Sequence, residues 1–416
     1  MRVELRLPPD STFLSQVMYE GLLYLIHSAP QSSFGLDGVS LSDGAICRAY
    51  EGMSDERIES ISVNMTGNDK VDKLLDAIGV KERPEKKTYR GLLKLLKDKC
   101  KEASLMRNRD SITLQIKLDR GEIFLDSPHF SELAAPQLFK IDRYTGISAG
   151  ETGLISKQLG LRSSPEVILI GLLGVYSSHI VTVRQQGSAY HYFVFLSVDD
   201  MLRVLSSGDR ARLEHVYFIK EQLRDLLGRT LRGPAEGELM VLEVMLNSKI
   251  RAELKSRNLD KVSINIFRVS EEGGKTYRKR KTYTYKVHET LPITVYANPY
   301  FYHVLSSRGV DARKLCDTLQ DALKPRGEII KTLSSFNSQN KFDEADSILG
   351  GVMALYKFVT LADPHYLFQF SRCLSEAQDI LERKEDYGKR EDYKRRVKFY
   401  RDVQRRIGGS LRRLRI

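Results

Sequence analysis

Residues 164–200 read SPEVILIGLLGVYSSHIVTVRQQGSAYHYFVFLSVDD. Ser164, Pro165 and Glu166 have the order of a helix cap, a first helical residue and an acid at the positive end of the helix dipole. The next twelve residues are apolar nearly all round, so we expect a buried helix. Two β-type stretches, IVTVR and YHYFVFLS, flank a QQGSA turn and predict a hairpin. This stretch therefore predicts a buried helix that leads into a sheet.

Periodicity predicts more elements on both sides of this stretch. The expected strands are 1–7, 57–66, 111–118, 122–125 and 261–270, and the expected helices are 11–27, 69–79, 88–105, 210–231 and 236–256. From Pro299 onward only helical patterns remain, at about 300–323, 326–336, 341–361, 364–383 and 389–407.

The change of pattern near residue 297 predicts an α+β fold of two domains. Residues 1–297 are expected to form a mixed α/β N-terminal body with projecting β-hairpins, including a basic hairpin at 261–286. Residues 298–416 are expected to form an all-helical C-terminal bundle that ends in a basic helix.

Composition favours an intracellular protein. The 416 residues contain no run of 18 apolar side chains, and the first ten residues lack the pattern of a signal peptide. We therefore expect a cytoplasmic location and no membrane partner. The four cysteines (Cys47, Cys100, Cys316 and Cys373) show no C-x-x-C spacing. We expect them to be reduced and mostly buried, without a structural zinc ion.

The positive charge is concentrated in two short segments. The formal net charge is +12. Residues 275–286 hold 6 basic and no acidic side chains, and residues 383–416 hold 14 basic and 5 acidic ones. The remaining chain has 46 basic and 49 acidic residues. Two basic segments on a near-neutral body indicate a polyanionic partner, and nucleic acid fits better than a membrane because neither segment has a broad apolar face.

The first basic segment reads KTYRKRKTYTYK. If it is a strand, neither of its faces is apolar, so we expect it to project from the body. Cations can contact phosphates, and tyrosines can stack on unpaired bases. The predicted contacts are Lys275, Tyr277, Arg278, Lys279, Arg280, Lys281 and Tyr283. The alternative is an ordinary solvated hairpin, rich in Thr and Tyr because both favour strands.

The second basic segment contains KREDYKRRVKFYRDVQRR, residues 389–406. Tyr393, Val397, Tyr400 and Val403 predict one apolar stripe of a helix, and basic residues fill the remainder. The predicted nucleic-acid contacts here are Lys394, Arg395, Arg405 and Arg406. The alternative is a solvated terminal helix.

No sequence motif indicates catalysis. Gly273-Gly274-Lys275-Thr276 lacks the first glycine of a phosphate-binding loop, since Val269 stands in its place. Asp199-Asp200 could hold Mg²⁺, but a helix pattern starts there, and capping explains the pair more simply. We expect no catalytic residue, metal or cofactor. A metal-dependent nuclease or nucleotidyl enzyme with a sparse site, and a structural RNA-binding protein, remain alternatives.

The chain resembles the large subunit of a CRISPR type I Cascade surveillance complex, most like that of type I-A. Three features carry the resemblance: the mixed body followed by a helical bundle, the 164–200 block, and basicity without a catalytic motif. The resemblance implies a non-catalytic subunit of an RNA-guided antiviral defence complex. Such a subunit would recognise a flanking motif in double-stranded DNA, help to open the duplex, and contact the displaced single strand.

The resemblance also implies protein partners. These are a guide-RNA complex with its backbone subunits, and a helicase-nuclease that the subunit helps to recruit. The sequence divergence of this family allows no single residue to be carried over.

Overall fold

The structure is a computed structural model. It describes residues 1–7, 9–66, 68–101, 110–119, 122–141, 160–185, 188–230, 236–273, 283–324, 327–334, 342–384 and 386–414. Within these residues the sheets lie in the first part of the chain and the C-terminal part is helical, so the α+β fold class is confirmed.

The helices are numbered in chain order. They are α1 (Phe13–Ser28), α2 (Ala45–Glu51), α3 (Asp55–Ser60), α4 (Val71–Ala77), α5 (Tyr89–Lys99), α6 (Pro165–Ser178), α7 (Val198–Ser207), α8 (Arg210–Thr230), α9 (Glu236–Leu246), α10 (Ser248–Ser256), α11 (Tyr300–Ser307), α12 (Ala312–Ala322), α13 (Glu328–Ser334), α14 (Phe342–Leu361), α15 (His365–Glu382) and α16 (Glu391–Leu414). Short 3₁₀ turns lie at Gln137–Lys140 and Tyr387–Lys389.

In the described ranges the strands form three four-stranded sheets. They are β1 (Arg2–Leu5), β2 (Ser33–Gly35), β3 (Gly38–Ser40), β4 (Ser111–Leu114), β5 (Lys117–Asp119), β6 (Glu122–Phe124), β7 (Leu133–Ala134), β8 (Gly160–Ser163), β9 (His179–Gln185), β10 (Ser188–Leu196), β11 (Lys261–Gly273) and β12 (Tyr283–Tyr296). The strand orders are β2-β3-β1-β4, β5-β6-β8-β7 and β12-β11-β10-β9.

The described residues divide into two compact units. Unit 1 contains Met1–Lys220 and Ser263–Pro292, and unit 2 contains Glu221–Val262 and Ile293–Ile416. This division differs from the single predicted boundary near residue 297. Helix α9 groups with the C-terminal helices because Leu239, Leu242 and Leu246 share their hydrophobic core. Helix α10 joins the same unit and contacts α12.

The 164–200 stretch folds as its sequence predicts. The Ser164 side chain accepts a hydrogen bond from the Val167 amide and caps α6, whose side chains are almost all buried. The helix leads into the antiparallel pair β9–β10. Phe13 of α1 packs edge-on against Phe193 and Phe195 of β10, with ring centroids 5.1 and 5.7 Å apart.

Two predictions near helix starts are wrong. Residues 57–66 were expected to be a strand, but Ser54 caps α3, and Asp55 and Glu56 lie in its first turn. The cap and the favourable dipole outweigh the alternation of that stretch. Helix α7 is capped by Ser197, whose hydroxyl accepts from the Asp200 amide at 3.2 Å, and not by Asp199 or Asp200.

Helix ends also differ from the predictions. The helix expected at 236–256 divides at Asn247, which caps α10, and the helix expected at 300–323 divides into α11 and α12, where Asp311 caps α12. The last helix was expected to end near residue 407. It continues through Gly408 and Gly409 to Leu414.

The expectation of four reduced cysteines is wrong for two of them. Cys47 on α2 and Cys100 at the end of α5 form a disulfide. The 53 residues between them hide this proximity, which arises because α2 packs against α5. Cys316 and Cys373 are free and buried, as predicted.

Across the described ranges, no helix is both long and apolar enough to cross a bilayer.

Candidate nucleic-acid interface

The core of unit 2 fixes the orientation of helix α16. Tyr393, Val397, Tyr400, Val403 and Ile407 are buried at intervals of three and four residues, which gives one apolar stripe. This confirms the predicted stripe. The same spacing continues through Leu411 and Leu414, which explains why the helix passes its two glycines.

Polar contacts fix the rotation of α16 about its own axis. The Tyr400 hydroxyl lies 3.0 Å from the Thr332 hydroxyl and donates to a Glu344 carboxylate oxygen at 3.0 Å. Burial raises the pKa of Tyr400 above its usual range, so the phenol stays protonated as a donor. The amide of Gln404 donates to the Ser371 carbonyl at 2.7 Å. These contacts orient the opposite face of α16 outward.

The outward face carries a row of cations. Counting 100° per residue from Lys394, the other cations at Lys398, Arg401, Arg405 and Arg412 all fall within a stripe about 60° wide. All five are exposed. We call this set the basic ridge. Its 18-residue span is about 27 Å long at 1.5 Å per residue, and no acidic residue of α16 falls inside the stripe.

Three ridge cations form salt bridges with nearby carboxylates. Lys394 lies 3.0 Å from Glu391, Arg405 pairs with Asp402, and Arg401 pairs with Glu382. Lys398 and Arg412 have no salt bridge to any residue in the part of the chain that the structure describes. Exposed pairs contribute about 0–1 kcal/mol each, so a phosphate can displace the carboxylate at little cost.

The four predicted residues of α16 therefore have different roles. Lys394 and Arg405 belong to the basic ridge. Arg395 points to one side of it and pairs with Glu328 at 3.0 Å. Arg406 lies on the same side of the ridge, further along the helix, and pairs with Asp321 at 2.8 Å.

Arg406 also lines a cavity of about 270 Å³ together with Lys314 and Arg413. Hydrogen bonds from Lys324 and Arg406 hold the pKa of Asp321 below its usual range, so this carboxylate stays charged. The pair fastens α16 to α12.

The predicted contacts did not include Lys398, Arg401 and Arg412. A signal was present, because these residues follow Lys394 at helical spacings of 4, 7 and 18.

The first basic segment lies mostly outside the described residues. This holds for Lys275, Tyr277, Arg278, Lys279, Arg280 and Lys281. Tyr283 begins β12, and its side chain lies outside the described part. The structure does describe the base of this hairpin.

At that base the prediction of two unburied faces fails for Tyr285. Its ring is buried, and its hydroxyl donates to the Asn64 carbonyl oxygen. The Asn64 side-chain amide donates to Glu271 at 2.7 Å, and Glu271 lies 3.0 Å from His191. Burial acts to raise the pKa of Glu271, but hydrogen bonds from His191 and Asn64 outweigh it and lower the pKa. These contacts fix Glu271 of β11 and Tyr285 of β12, on the two strands that flank the basic segment.

His191 lies on strand β10. Its side chain is fully buried between Thr182, at 2.9 Å, and Glu271. It is therefore a structural residue of the sheet.

The Asp199-Asp200 pair does not converge on a common point. Asp200 is buried, and its carboxylate accepts from the Ser263 amide at 2.6 Å, while Asp199 is exposed. Asp200 thus joins α7 to β11. Among the described residues, one group of potential ligands has metal-like spacing, namely Cys47, Glu51 and Cys100. Its two sulfurs are joined in the disulfide, which leaves no thiolate to bind a metal.

The comparisons with known proteins identify one relative. An uncharacterized protein of Archaeoglobus fulgidus is 36% identical over 388 residues, which cover 93% of this chain and 95% of the relative. The chain belongs to the family of that protein. No family model matches the chain. The relationship extends over both units, so the relative shares the whole architecture and not one domain alone.

Proposed function

We propose that this chain is a non-catalytic nucleic-acid-binding subunit. The observation that supports this best is the basic ridge. Five exposed cations follow one another along a helix whose opposite face is buried and whose rotation is fixed. A rigid, linear array of cations matches the regularly spaced phosphates of a nucleic-acid strand.

The basic hairpin supplies a second contact region of different chemistry. Its cations would bind phosphates, and Tyr277 and Tyr283 would stack on unpaired bases, each contributing roughly 1–3 kcal/mol per base. Phosphate contact by the ridge together with stacking by the hairpin favours opened DNA over closed duplex.

The narrower assignment places the chain in an RNA-guided antiviral defence complex, as a Cascade large subunit. It is supported by the resemblance of the 164–200 block and of the body-plus-bundle plan. In such complexes base pairing reads the sequence, and the protein supplies backbone contacts and a few base-edge contacts. The partners would be the guide-RNA complex, target DNA and a helicase-nuclease.

The test compares four ligands of equal length: duplex DNA, a duplex with an unpaired central stretch, single-stranded DNA and structured RNA. Affinity is measured at several salt concentrations. We expect salt-dependent binding, tightest for the opened duplex. A preference for structured RNA would favour a structural RNA-binding protein, and absence of salt-dependent binding to all four would refute the proposal.

A second measurement concerns the complex. Co-expression with guide RNA and backbone subunits should give a co-purifying assembly that opens duplex DNA next to the guide. Mg²⁺- or Mn²⁺-dependent cleavage by the purified chain that is lost in Asp199→Ala would instead establish a nuclease.

A further inference from the structure

A cavity of about 280 Å³ lies beside the N-terminal end of helix α16. Its wall contains five cationic side chains, Lys331, Lys384, Arg390, Arg395 and Arg396, and three carboxylates, Glu328, Glu344 and Asp392. The wall therefore carries a formal charge of +2. A cavity wall with excess positive charge favours an anionic occupant.

Three of the cations converge on one aromatic ring. The guanidinium carbons of Arg390 and Arg396 lie 4.3 and 5.0 Å from the centroid of Tyr393, and the Lys384 ammonium lies 5.2 Å from it. Tyr393 is buried, so its ring holds these groups at the cavity wall. Each cation is attracted to the ring, but the three repel one another, and an anion between them would relieve that repulsion.

The carboxylates of the wall compensate this charge only in part. Asp392 accepts from Arg390 at 2.9 and 3.1 Å and from Arg396 at 3.4 Å. Glu344 accepts from Arg396 at 2.6 Å. Lys384, in contrast, has no salt bridge within the described residues.

The two remaining cations share one acid. Glu328 contacts Lys331 at 3.2 Å and Arg395 at 3.0 Å. More than half of the Arg395 side chain is exposed, so this side chain can turn toward a ligand at the cavity mouth. Arg390 and Arg396 are balanced by Asp392 and Glu344. The excess charge of +2 therefore resides at Lys384 and at Glu328, where one carboxylate serves two cations.

We propose that this cavity binds a phosphate monoester. A phosphate monoester carries about 1.5 to 2 negative charges near pH 7, whereas the diester inside a strand carries one, so the monoester matches the wall better. It also offers three acceptor oxygens to one ammonium and two planar guanidinium groups, which bind such oxygens through paired N–H donors.

The same chemistry occurs at a strand terminus and in a free nucleotide. The cavity adjoins the start of the basic ridge, since Arg395 of its wall neighbours Lys394 on α16. The occupant would therefore be the terminal phosphate of a strand bound along the ridge. This choice of a strand terminus over a free nucleotide rests on the proposed function.

The experiment compares one short single-stranded oligonucleotide in three forms, with a 5′-phosphate, with a 3′-phosphate, or with hydroxyls at both ends. Binding is measured for the full chain, and calorimetry with a mononucleotide and with inorganic phosphate is run in parallel. One phosphorylated form should bind about tenfold or more tightly than the hydroxyl form, as expected for a charge-assisted contact.

The variant Lys384→Ala should lose that preference and leave binding of the hydroxyl form unchanged, and Lys384→Arg should keep it. Lys357→Ala is the matched control. Lys357 lies 5.6 Å from the centroid of Tyr366 in the same unit but outside the cavity wall, so its removal should change neither affinity. Thermal unfolding of each variant verifies that it folds.

The outcomes separate this proposal from the proposed function. Mononucleotide binding that depends on Lys384, without oligonucleotide binding, supports the cavity, assigns it a free nucleotide and refutes nucleic-acid binding. If all three oligonucleotides bind with equal affinity, and neither the mononucleotide nor inorganic phosphate binds in the calorimeter, the cavity proposal is overturned and the proposed function is not. A phosphate preference that survives Lys384→Ala overturns the assigned site.

Discussion

Glu243 lies on helix α9 with 6% of its surface exposed. Burial raises the pKa of its carboxyl group from 4.5 to about 7. The pKa of this carboxyl group is higher in the folded state than in the unfolded state, so unfolding becomes easier once the unfolded chain can lose the proton. The group's contribution to stability is therefore fully present below pH 4.5 and is lost as the pH rises through 7. The loss amounts to roughly 3 kcal/mol at most, from 1.36 kcal/mol per pKa unit.

Glu243→Gln should therefore raise the free energy of unfolding at pH 8, by up to that amount, and should have a much smaller effect at pH 5. Urea denaturation at both pH values measures the difference. An equal effect at the two pH values would show that the carboxyl group does not titrate in this range in the folded protein.

A buried ion pair in unit 1 gives a second prediction. Glu20 on α1 pairs with Lys220 on α8, and both side chains are fully buried. The Ser177 hydroxyl donates to Glu20, and the Lys220 ammonium lies 3.1 Å from that hydroxyl. Glu20→Gln should reduce the free energy of unfolding by about 3–5 kcal/mol, because it leaves a buried ammonium without its counter-charge.

The matched control removes both charges. The double variant Glu20→Leu/Lys220→Met should recover most of the lost stability, since apolar side chains of similar volume often replace a buried pair at little cost. Chemical denaturation of the three proteins compares them. If the double variant is less stable than Glu20→Gln, the pair itself stabilises unit 1.

At the scale of elements, the close packing of α1 and α6 depends on two glycines. A Cβ atom at Gly174 would lie 2.0 Å from the Val17 carbonyl oxygen, and one at Gly21 would lie 1.9 Å from that of Ile170. The backbones therefore touch where no side chain fits. The buried helix was predictable from its composition, but this crossing was not, because it depends on which residue of another helix lies opposite.

Gly174→Ala should destabilise the protein by about 1–3 kcal/mol or more, because the obstacle is backbone and the helices must separate. Gly408→Ala in α16 is the control, since nothing lies within 4 Å of its added Cβ and alanine favours a helix by about 1 kcal/mol. Thermal unfolding should shift down for the first variant and up for the second. A neutral Gly174→Ala would contradict the close crossing.

Sequence patterns predicted elements best where capping and periodicity agreed. The stretch from Ser164 into β10 combined a cap, a proline and an uninterrupted apolar helix, and it folds as expected. In residues 57–66 the alternating pattern favoured a strand, whereas Ser54 favoured the start of a helix. The helix α3 formed at Asp55–Ser60. Helix α16 was predicted to end near residue 407, but Leu411 and Leu414 continue its apolar stripe and the helix reaches Leu414.

At the scale of the whole molecule, charge counting located the basic C-terminal segment, and helical geometry refined it. Lys394 and Arg405 were predicted from the basic helical pattern of the sequence, whereas Lys398, Arg401 and Arg412 follow from their position on the same face of the helix. The acids that hold Arg395 and Arg406, namely Glu328 and Asp321, lie 67 and 85 residues away in sequence. Such partners depend on tertiary packing, which one sequence does not reveal.

The central claim is that the basic ridge contacts nucleic-acid phosphates. The triple variant Lys398→Ala/Arg401→Ala/Arg405→Ala removes three of its five cations. The matched control, Lys73→Ala/Lys81→Ala/Lys86→Ala, removes three exposed lysines from unit 1 and makes the same change in net charge. Thermal unfolding should be nearly unchanged for both, because exposed substitutions shift stability by less than about 0.5 kcal/mol.

The deciding measurement is the dependence of DNA affinity on salt concentration for the wild type and these two variants. Each phosphate contact contributes about −0.9 to the slope of log K against log salt on duplex DNA. The ridge variant should weaken binding and reduce the magnitude of the slope by roughly two to three, while the control keeps the wild-type slope. A ridge variant with wild-type affinity and slope, or a control that changes as much, would contradict the proposed interface.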